Sequence, residues 1–307
     1  MYRRPSYSKP VKEVGPRKHR SKKPERPSEL LEIATLNPVC VSKTTPVINA
    51  VKLLSEKNFR RLPVVDAGSK KLIGMLTSTD IVNYFGGGDK YKIVEKRYYG
   101  NLYKALNAPI EMIMHTPPIF VYENASIDDV IEIMLKHNIG GVPIVDEDDI
   151  LKAIITERDI LRILSGTRIG SPISEIMSRD VISISENAPL MKACRTMIEF
   201  GFRRLPALNE KFQLTGILTS MDVVKFFASE MAFKIAKLPQ LSELLQTPVN
   251  RIMTPFVITA GETMTISEAL ELMTRNNIGA LPIISEKRTI VGIVTERDIM
   301  VKLIELS

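Results

Sequence analysis

No stretch of the 307-residue chain approaches the roughly 18 consecutive apolar residues that a bilayer span requires. Its basic beginning is followed by no apolar segment of the secretory kind. The expectation is a soluble cytoplasmic protein with no membrane partner. Cysteine is scarce: Cys40 and Cys194 stand 154 positions apart, which excludes a disulfide framework. His19, His115 and His137 are scattered and supply no zinc spacing. Both cysteines have apolar neighbours and are expected in the core. No Cys/His or Ser/His/Asp signature is present either, so no catalytic constellation, and no enzyme, is expected.

What is there is charge in one place and repetition in the rest. Residues 1–28 hold ten Lys or Arg against Glu13 and Glu25, a balance of +8. The whole chain carries +7, which leaves −1 for the remainder. Five prolines and almost no aliphatic residues fall in the same segment, too little apolar surface to offset the entropy of ordering. A disordered basic arm is expected over 1–28. Such an arm is either a solubilising tail or a contact for nucleic acid or another polyanion.

Four segments of the body match one another. Each has a Pro-centred apolar run followed by a second apolar run that ends in Thr-x-x-Asp. The first carries Leu62-Pro63-Val64-Val65 and Thr77-Ser78-Thr79-Asp80, the second Val142-Pro143-Ile144-Val145 and Thr156-Glu157-Arg158-Asp159. The third carries Leu205-Pro206-Ala207-Leu208 and Thr219-Ser220-Met221-Asp222, the fourth Leu281-Pro282-Ile283-Ile284 and Thr295-Glu296-Arg297-Asp298. Short β-branched runs and one amphipathic helical pattern per copy predict strand, helix, strand, strand, helix. A unit of about 55 residues is marginal alone, so pairing is expected.

The copies alternate. Phe59-Arg60-Arg61-Leu62-Pro63 in the first recurs as Phe202-Arg203-Arg204-Leu205-Pro206 in the third. Asn138-Ile139-Gly140-Gly141 in the second recurs as Asn277-Ile278-Gly279-Ala280 in the fourth. The order is ABAB, with a boundary in the turn-rich stretch Ser165 to Pro172.

This pattern resembles the cystathionine-beta-synthase (CBS) domain family over nearly all of residues 33–305. A four-repeat chain is similar to the nucleotide-sensing gamma subunit of AMP-activated protein kinase and to stand-alone archaeal proteins of that shape. The resemblance implies an α+β fold of four β-α-β-β-α repeats in two tandem pairs, packed as a flat disc with clefts facing its centre. The expected pairs are 29–168, with repeats 33–86 and 109–166, and 169–307, with repeats 172–228 and 248–305.

Thr-x-x-Asp at a strand-to-helix junction is also a capping signature, with the Thr as cap and the Asp in the first turn. The resemblance implies more: Asp80, Asp159, Asp222 and Asp298 bind ribose hydroxyls, and Thr77, Thr156, Thr219 and Thr295 touch ribose or phosphate. A carboxylate suits a vicinal diol. It likewise implies that Arg60, Arg61, Arg203 and Arg204 reach phosphates, with Arg158 and Arg297 as weaker phosphate candidates; the other reading of the Arg pairs is a solvated strand edge. The even repeats, with glycine or alanine where the odd ones have arginine, are expected to borrow Arg from the odd partner.

Gly86-Gly87-Gly88-Asp89-Lys90 lacks the Gly-Lys-Thr/Ser of a phosphate loop and reads as a helix stop and hinge. Tyr91, Tyr98, Tyr99 and Tyr103 follow, in a packed linker helix or a docking face. The expected function is regulatory: a sensor that binds AMP, ADP or ATP and signals occupancy to a partner protein, with no other cofactor. Two other readings stay open, S-adenosylmethionine as ligand and a nucleic-acid-associated protein acting through residues 1–28. A homodimer is a further expected partner.

Overall fold

A computed structural model describes residues 29–164, 168–229 and 240–306. The basic arm over 1–28 and Ser165 to Thr167, the start of the expected boundary, lie outside the described residues. The chain opens with α1 (Glu29–Ile33) and β1 (Thr35–Leu36). The first repeat is β2 (Val41–Ser42), α2 (Val47–Lys57), β3 (Arg61–Val65), β4 (Leu72–Thr77) and α3 (Ser78–Phe85). Helices α4 (Tyr91–Tyr98) and α5 (Leu102–Leu106) lead to the second: β5 (Val121–Tyr122), α6 (Ile127–Lys136), β6 (Gly141–Val145), β7 (Leu151–Thr156) and α7 (Glu157–Leu164). The third is β8 (Ile184–Ser185), α8 (Leu190–Phe200), β9 (Arg204–Leu208), β10 (Leu214–Thr219) and α9 (Ser220–Ala228). After α10 (Leu241–Leu244) and β11 (Thr254–Pro255) come α11 (Ile266–Arg275), β12 (Ala280–Ile284), β13 (Ile290–Thr295) and α12 (Glu296–Glu305).

The expected β-α-β-β-α order is seen in the first three repeats. In the fourth, the first strand is reduced to the parallel bridge of Ala260 to Ile283. Each Pro-centred strand runs antiparallel to the strand that follows it, with Pro63 opposite Met75 and Pro143 opposite Ile154.

Sheets are completed by exchange. β1, in the entry segment ahead of β2, pairs antiparallel with β7 of the second repeat, Leu36 opposite Ala153. In return His115, in the entry segment ahead of β5, bridges Met75 of the first. The other half repeats the trade: Ser178 bridges Ile293 of the fourth repeat, and β11 joins β10 of the third. The third strands accept these visitors where they lack bulk. A Cβ on Gly74, Gly216 or Gly292 would lie 2.9, 2.3 or 2.5 Å from the sulfur of Met114, Met253 or Met177. In the second repeat the visitor brings Ala34 where the others bring methionine, and Ala153 replaces the glycine.

Helices join like to like. One core merges the odd repeats, with Phe85 of α3 stacked on Phe227 of α9 at 4.4 Å between ring centroids. A second core merges the even repeats, where Ile160 and Leu161 of α7 share their surroundings with Ile299, Met300 and Leu303 of α12. Cys194 is buried in the odd core, and burial alone pushes its thiol up to about 12. Cys40 corrects the sequence expectation. It is exposed, because β2 begins one residue later and only Val41 turns inward. Gly86 ends α3 as expected, and a Cβ there would meet the Cβ of Cys194 at 2.2 Å, so close helix contact also requires it. Of the linker tyrosines, Tyr91 is buried on α4 while Tyr99 and Tyr103 are exposed. No helix among the described residues is long and apolar enough to cross a membrane.

Candidate nucleotide site

Each Thr-x-x-Asp sits where an antiparallel strand turns into a helix, and those at Thr77, Thr219 and Thr295 are complete capping boxes. The backbone N–H and Oγ1 of Thr77 donate to Oδ2 of Asp80 at 2.8 and 2.6 Å, and the Asp80 N–H donates back to Thr77 Oγ1. The same carboxylate oxygen is used by Asp159 with Thr156, by Asp222 with Thr219 and by Asp298 with Thr295. The second oxygen is treated differently from copy to copy. Oδ1 accepts from Lys90 Nζ at 2.5 Å in Asp80, from Arg162 at 2.5 Å in Asp159, and from Thr254 Oγ1 at 3.2 Å in Asp222. Burial holds the Asp222 carboxyl above its ordinary value despite these hydrogen bonds. One Thr–Asp design thus leaves Asp80, Asp159 and Asp222 with unequal carboxylates.

A cavity of about 580 Å³ lies where all four repeats meet. It is lined by Arg60, Arg61, Arg203, Arg204 and Arg297, and the capped pairs Thr77 with Asp80 and Thr295 with Asp298 open onto it. Met75, Ile119, Ile139, Ile182, Pro206 and Ile293 give it apolar walls. Thr156, Arg158, Asp159, Thr219 and Asp222 do not line it.

The two arginines at the head of β3 diverge, because adjacent strand residues point to opposite sides. Arg61 reaches its neighbour in the chain, the second repeat: a Cβ on Gly141 would lie 1.7 Å from its Nη1. Arg60 instead crosses to the fourth repeat, with Nη1 3.5 Å from Oε2 of Glu296. The third repeat does the same in mirror. Arg204 donates to the carbonyl of Gly279 at 2.7 Å, and Arg203 approaches Oε2 of Glu157 at 3.8 Å. The glycines of the even repeats are therefore seats for guanidinium groups from the odd ones. Burial, with Arg203 adding like charge, presses the Arg61 guanidinium down to about 9, and Arg204 is pushed to about 9 for the same reasons. Burial is the larger cause of both shifts, for the cavity lining also carries Asp80, Glu157, Asp180, Glu296 and Asp298 beside its five arginines.

Sequence reasoning missed Glu157 and Glu296, the residues after the capping Thr in the even repeats. Both are buried, at 4% and 6% exposure. Oε1 of Glu157 accepts from Arg297 Nε at 2.6 Å, and Oε1 of Glu296 accepts from Arg158 Nε at 2.7 Å. Arg297 also meets Asn138, and Arg158 meets Asn277. The signal was in the sequence as an alternation: Ser78 and Ser220 stand in the odd copies where the even copies have glutamate. His115 and His137 also line the cavity.

Comparison with known proteins agrees with this architecture. The chain is 40% identical over 263 residues to an uncharacterised protein of Methanocaldococcus jannaschii, spanning 85% of this chain and 94% of that one. The crystal structure of that protein, described as a candidate archaeal homologue of g-AMPK, superposes with a TM-score of 0.84 at 39% identity, covering 89% and 99% of the two chains. A 33.4 kDa protein of Thermofilum pendens is 31% identical over 264 residues, 86% of this chain and 87% of that one. A sulfurtransferase of M. jannaschii acting on L-aspartate semialdehyde matches at 34% over 130 residues, but these are only 25% of the enzyme. The CBS domain model matches residues 30–87, 110–166, 173–229 and 249–305, the same stretches that hold the four capped strand-helix units, and the chain belongs to the CBS domain family, whose members are generally regulatory rather than catalytic.

Proposed function

We propose that the protein is a regulatory sensor of adenine nucleotides, and that the central cavity binds them. One observation carries the reading: four arginines from the odd repeats converge on a cavity that also presents two capped carboxylates and apolar walls. An adenine nucleotide has the three matching parts. Its phosphates suit the guanidinium groups, which form charge-assisted bonds to phosphate oxygens. Its ribose diol suits the carboxylates of Asp80 and Asp298, and its base suits the apolar walls. S-adenosylmethionine has no phosphate, and its single carboxylate is offset by a sulfonium and an ammonium, so it would leave the four arginines without phosphates to pair. The cavity touches all four repeats, so occupancy ties the two halves together and is passed to a partner protein as a change in their relative stability.

In this reading Asp159 and Asp222, with Thr156 and Thr219, serve further clefts outside the central cavity. The test is a calorimetric titration with AMP, ADP, ATP, adenosine and S-adenosylmethionine. Binding of AMP with weaker binding of 2'-deoxy-AMP is expected, and the difference shrinks in Asp80→Ala. Equal discrimination between the two sugars in variant and wild type reduces Asp80 to a helix cap. Binding of S-adenosylmethionine in preference to every nucleotide overturns the proposal.

A further inference from the structure

Glu157 and Glu296 do something the fold does not ask of them. Their equivalents in the odd repeats, Ser78 and Ser220, sit at the same helix starts in the same kind of like-to-like contact and share one hydrogen bond of 2.8 Å. A small hydroxyl is thus sufficient to close that junction. Placing two carboxylates there instead costs desolvation that a buried ion pair does not always recover. The surroundings of α7 and α12 are otherwise apolar, from Ile160 and Leu161 to Ile299, Met300 and Leu303.

The contacts explain the exchange. Each glutamate uses its two oxygens for two different arginines. Oε1 is held tightly by the arginine of the opposite even helix, at 2.6 Å for Glu157 with Arg297 and 2.6 Å for Glu296 with Arg158. Oε2 faces the odd-repeat arginine at a longer distance, 3.8 Å to Arg203 and 3.5 Å to Arg60. Those two arginines line the cavity, and their side chains keep 32% and 35% exposure. The glutamates therefore present a second, loosely used oxygen to the same guanidinium groups that a ligand anion would engage.

From this we infer that Glu157 and Glu296 are internal counter-ions: they stand in for ligand anion on Arg203 and Arg60 and thereby set how much negative charge the cavity accepts. The inference rests on the nucleotide reading for the ligand class, but its core claim concerns anion charge alone. Six guanidinium groups, those of Arg60, Arg61, Arg158, Arg203, Arg204 and Arg297, meet in this lattice with two glutamates among them. An incoming phosphate chain competes with the Oε2 atoms for Arg60 and Arg203. A more highly charged chain competes over both at once, whereas a single phosphate needs only one. The glutamates thus lower affinity for long polyphosphates more than for short ones, and act as specificity-determining residues without touching the base or sugar.

The experiment compares the full chain with E157Q/E296Q and with the charge-conserving E157D/E296D, by calorimetric titration with inorganic triphosphate, AMP and adenosine at two salt concentrations. Thermal melts of each variant accompany the titrations. Glutamine keeps the shape and removes the charge. The expected result is a gain in triphosphate affinity of roughly tenfold, a smaller gain for AMP and none for adenosine. A steeper loss of affinity with salt is also expected in the Gln variant, because more unbalanced cations face the ligand. The Asp variant keeps the charge and stays near wild type for triphosphate. Unchanged or weakened triphosphate binding in a Gln variant that melts like wild type overturns the inference, and shows that the glutamates only position the arginines. Should the double variant not fold, E157Q and E296Q singly give the same reading, and a gain in neither overturns it. If wild type binds neither AMP nor adenosine while triphosphate responds as expected, the nucleotide reading fails and the counter-ion role stands.

Discussion

Two interfaces hold the halves of this molecule together, and they are built from equivalent positions with opposite chemistry. Where the odd repeats meet, the contact is apolar and aromatic, with Phe85 on Phe227, Gly86 against Cys194 and a single Ser78 to Ser220 hydrogen bond. Where the even repeats meet, the same helix starts carry Glu157 and Glu296, each clasped by the arginine of the other. The strands alternate in the reverse sense: arginine pairs head β3 and β9, glycine or alanine heads β6 and β12. Cation donors therefore sit in the repeats whose helices need no charge, and cation seats in the repeats that carry the carboxylates. One interface serves cohesion and the other serves the cavity.

The comparison breaks most visibly under Phe227→Ala. Loss of a fully buried ring from the odd core is expected to cost about 3–5 kcal/mol in denaturant unfolding. Arg61→Ala and Arg204→Ala probe the cavity rather than the core. Each is expected to weaken AMP by about 1.5–3 kcal/mol, on the order of tenfold to a hundredfold, and to leave adenosine nearly unchanged. Equal losses for both ligands would place the damage in the fold. Ser78→Ala is the sharpest test of the junction itself. Alone it leaves Ser220 without its buried partner and costs about 1–3 kcal/mol, whereas Ser78→Ala with Ser220→Ala is expected to cost less than the single change. A double variant worse than the sum of the singles would mean that the hydroxyls do more at this junction than satisfy each other.

A finer contrast separates Gly141 from Ala280, which occupy matching places. Gly141→Ala places a Cβ where Arg61 Nη1 now lies, so the guanidinium must withdraw and AMP affinity should fall several-fold. Ala280→Gly should change little, because Arg204 already takes the Gly279 carbonyl instead. Titration of both variants reads the difference directly.

The repeat, its strand order and its caps were legible because they depend on local pattern: Thr-x-x-Asp caps a helix wherever it follows a strand. The convergence of Arg60, Arg61, Arg203 and Arg204 was also signalled, through arginine pairs in two copies facing glycines in the other two. Glu157 and Glu296 stand inside the quoted motif and alternate with Ser78 and Ser220, but the alternation alone names no partner for them. Their meaning comes from a partner 138 or 140 positions away, Arg158 for Glu296 and Arg297 for Glu157, and no local pattern reports such a meeting. Cys40 was misjudged for a related reason. Apolar neighbours in sequence suggest burial, but in an extended stretch alternate residues face opposite ways, and Cys40 falls on the outer side.

The exchange of entry segments has a consequence in time. Leu36 finds its strand partner at Ala153, 117 positions later, and Gly216 finds Pro255 only after the linker that follows α9. A ribosome delivering this chain releases the first repeat long before β7 exists to receive β1. Closure of so long a loop must precede the contacts that reward it, which slows folding. The edge of β7 and the free β1 segment are meanwhile open to the same segments of other nascent chains, so the device that locks two repeats into one sheet system is also the route by which two copies could trade strands.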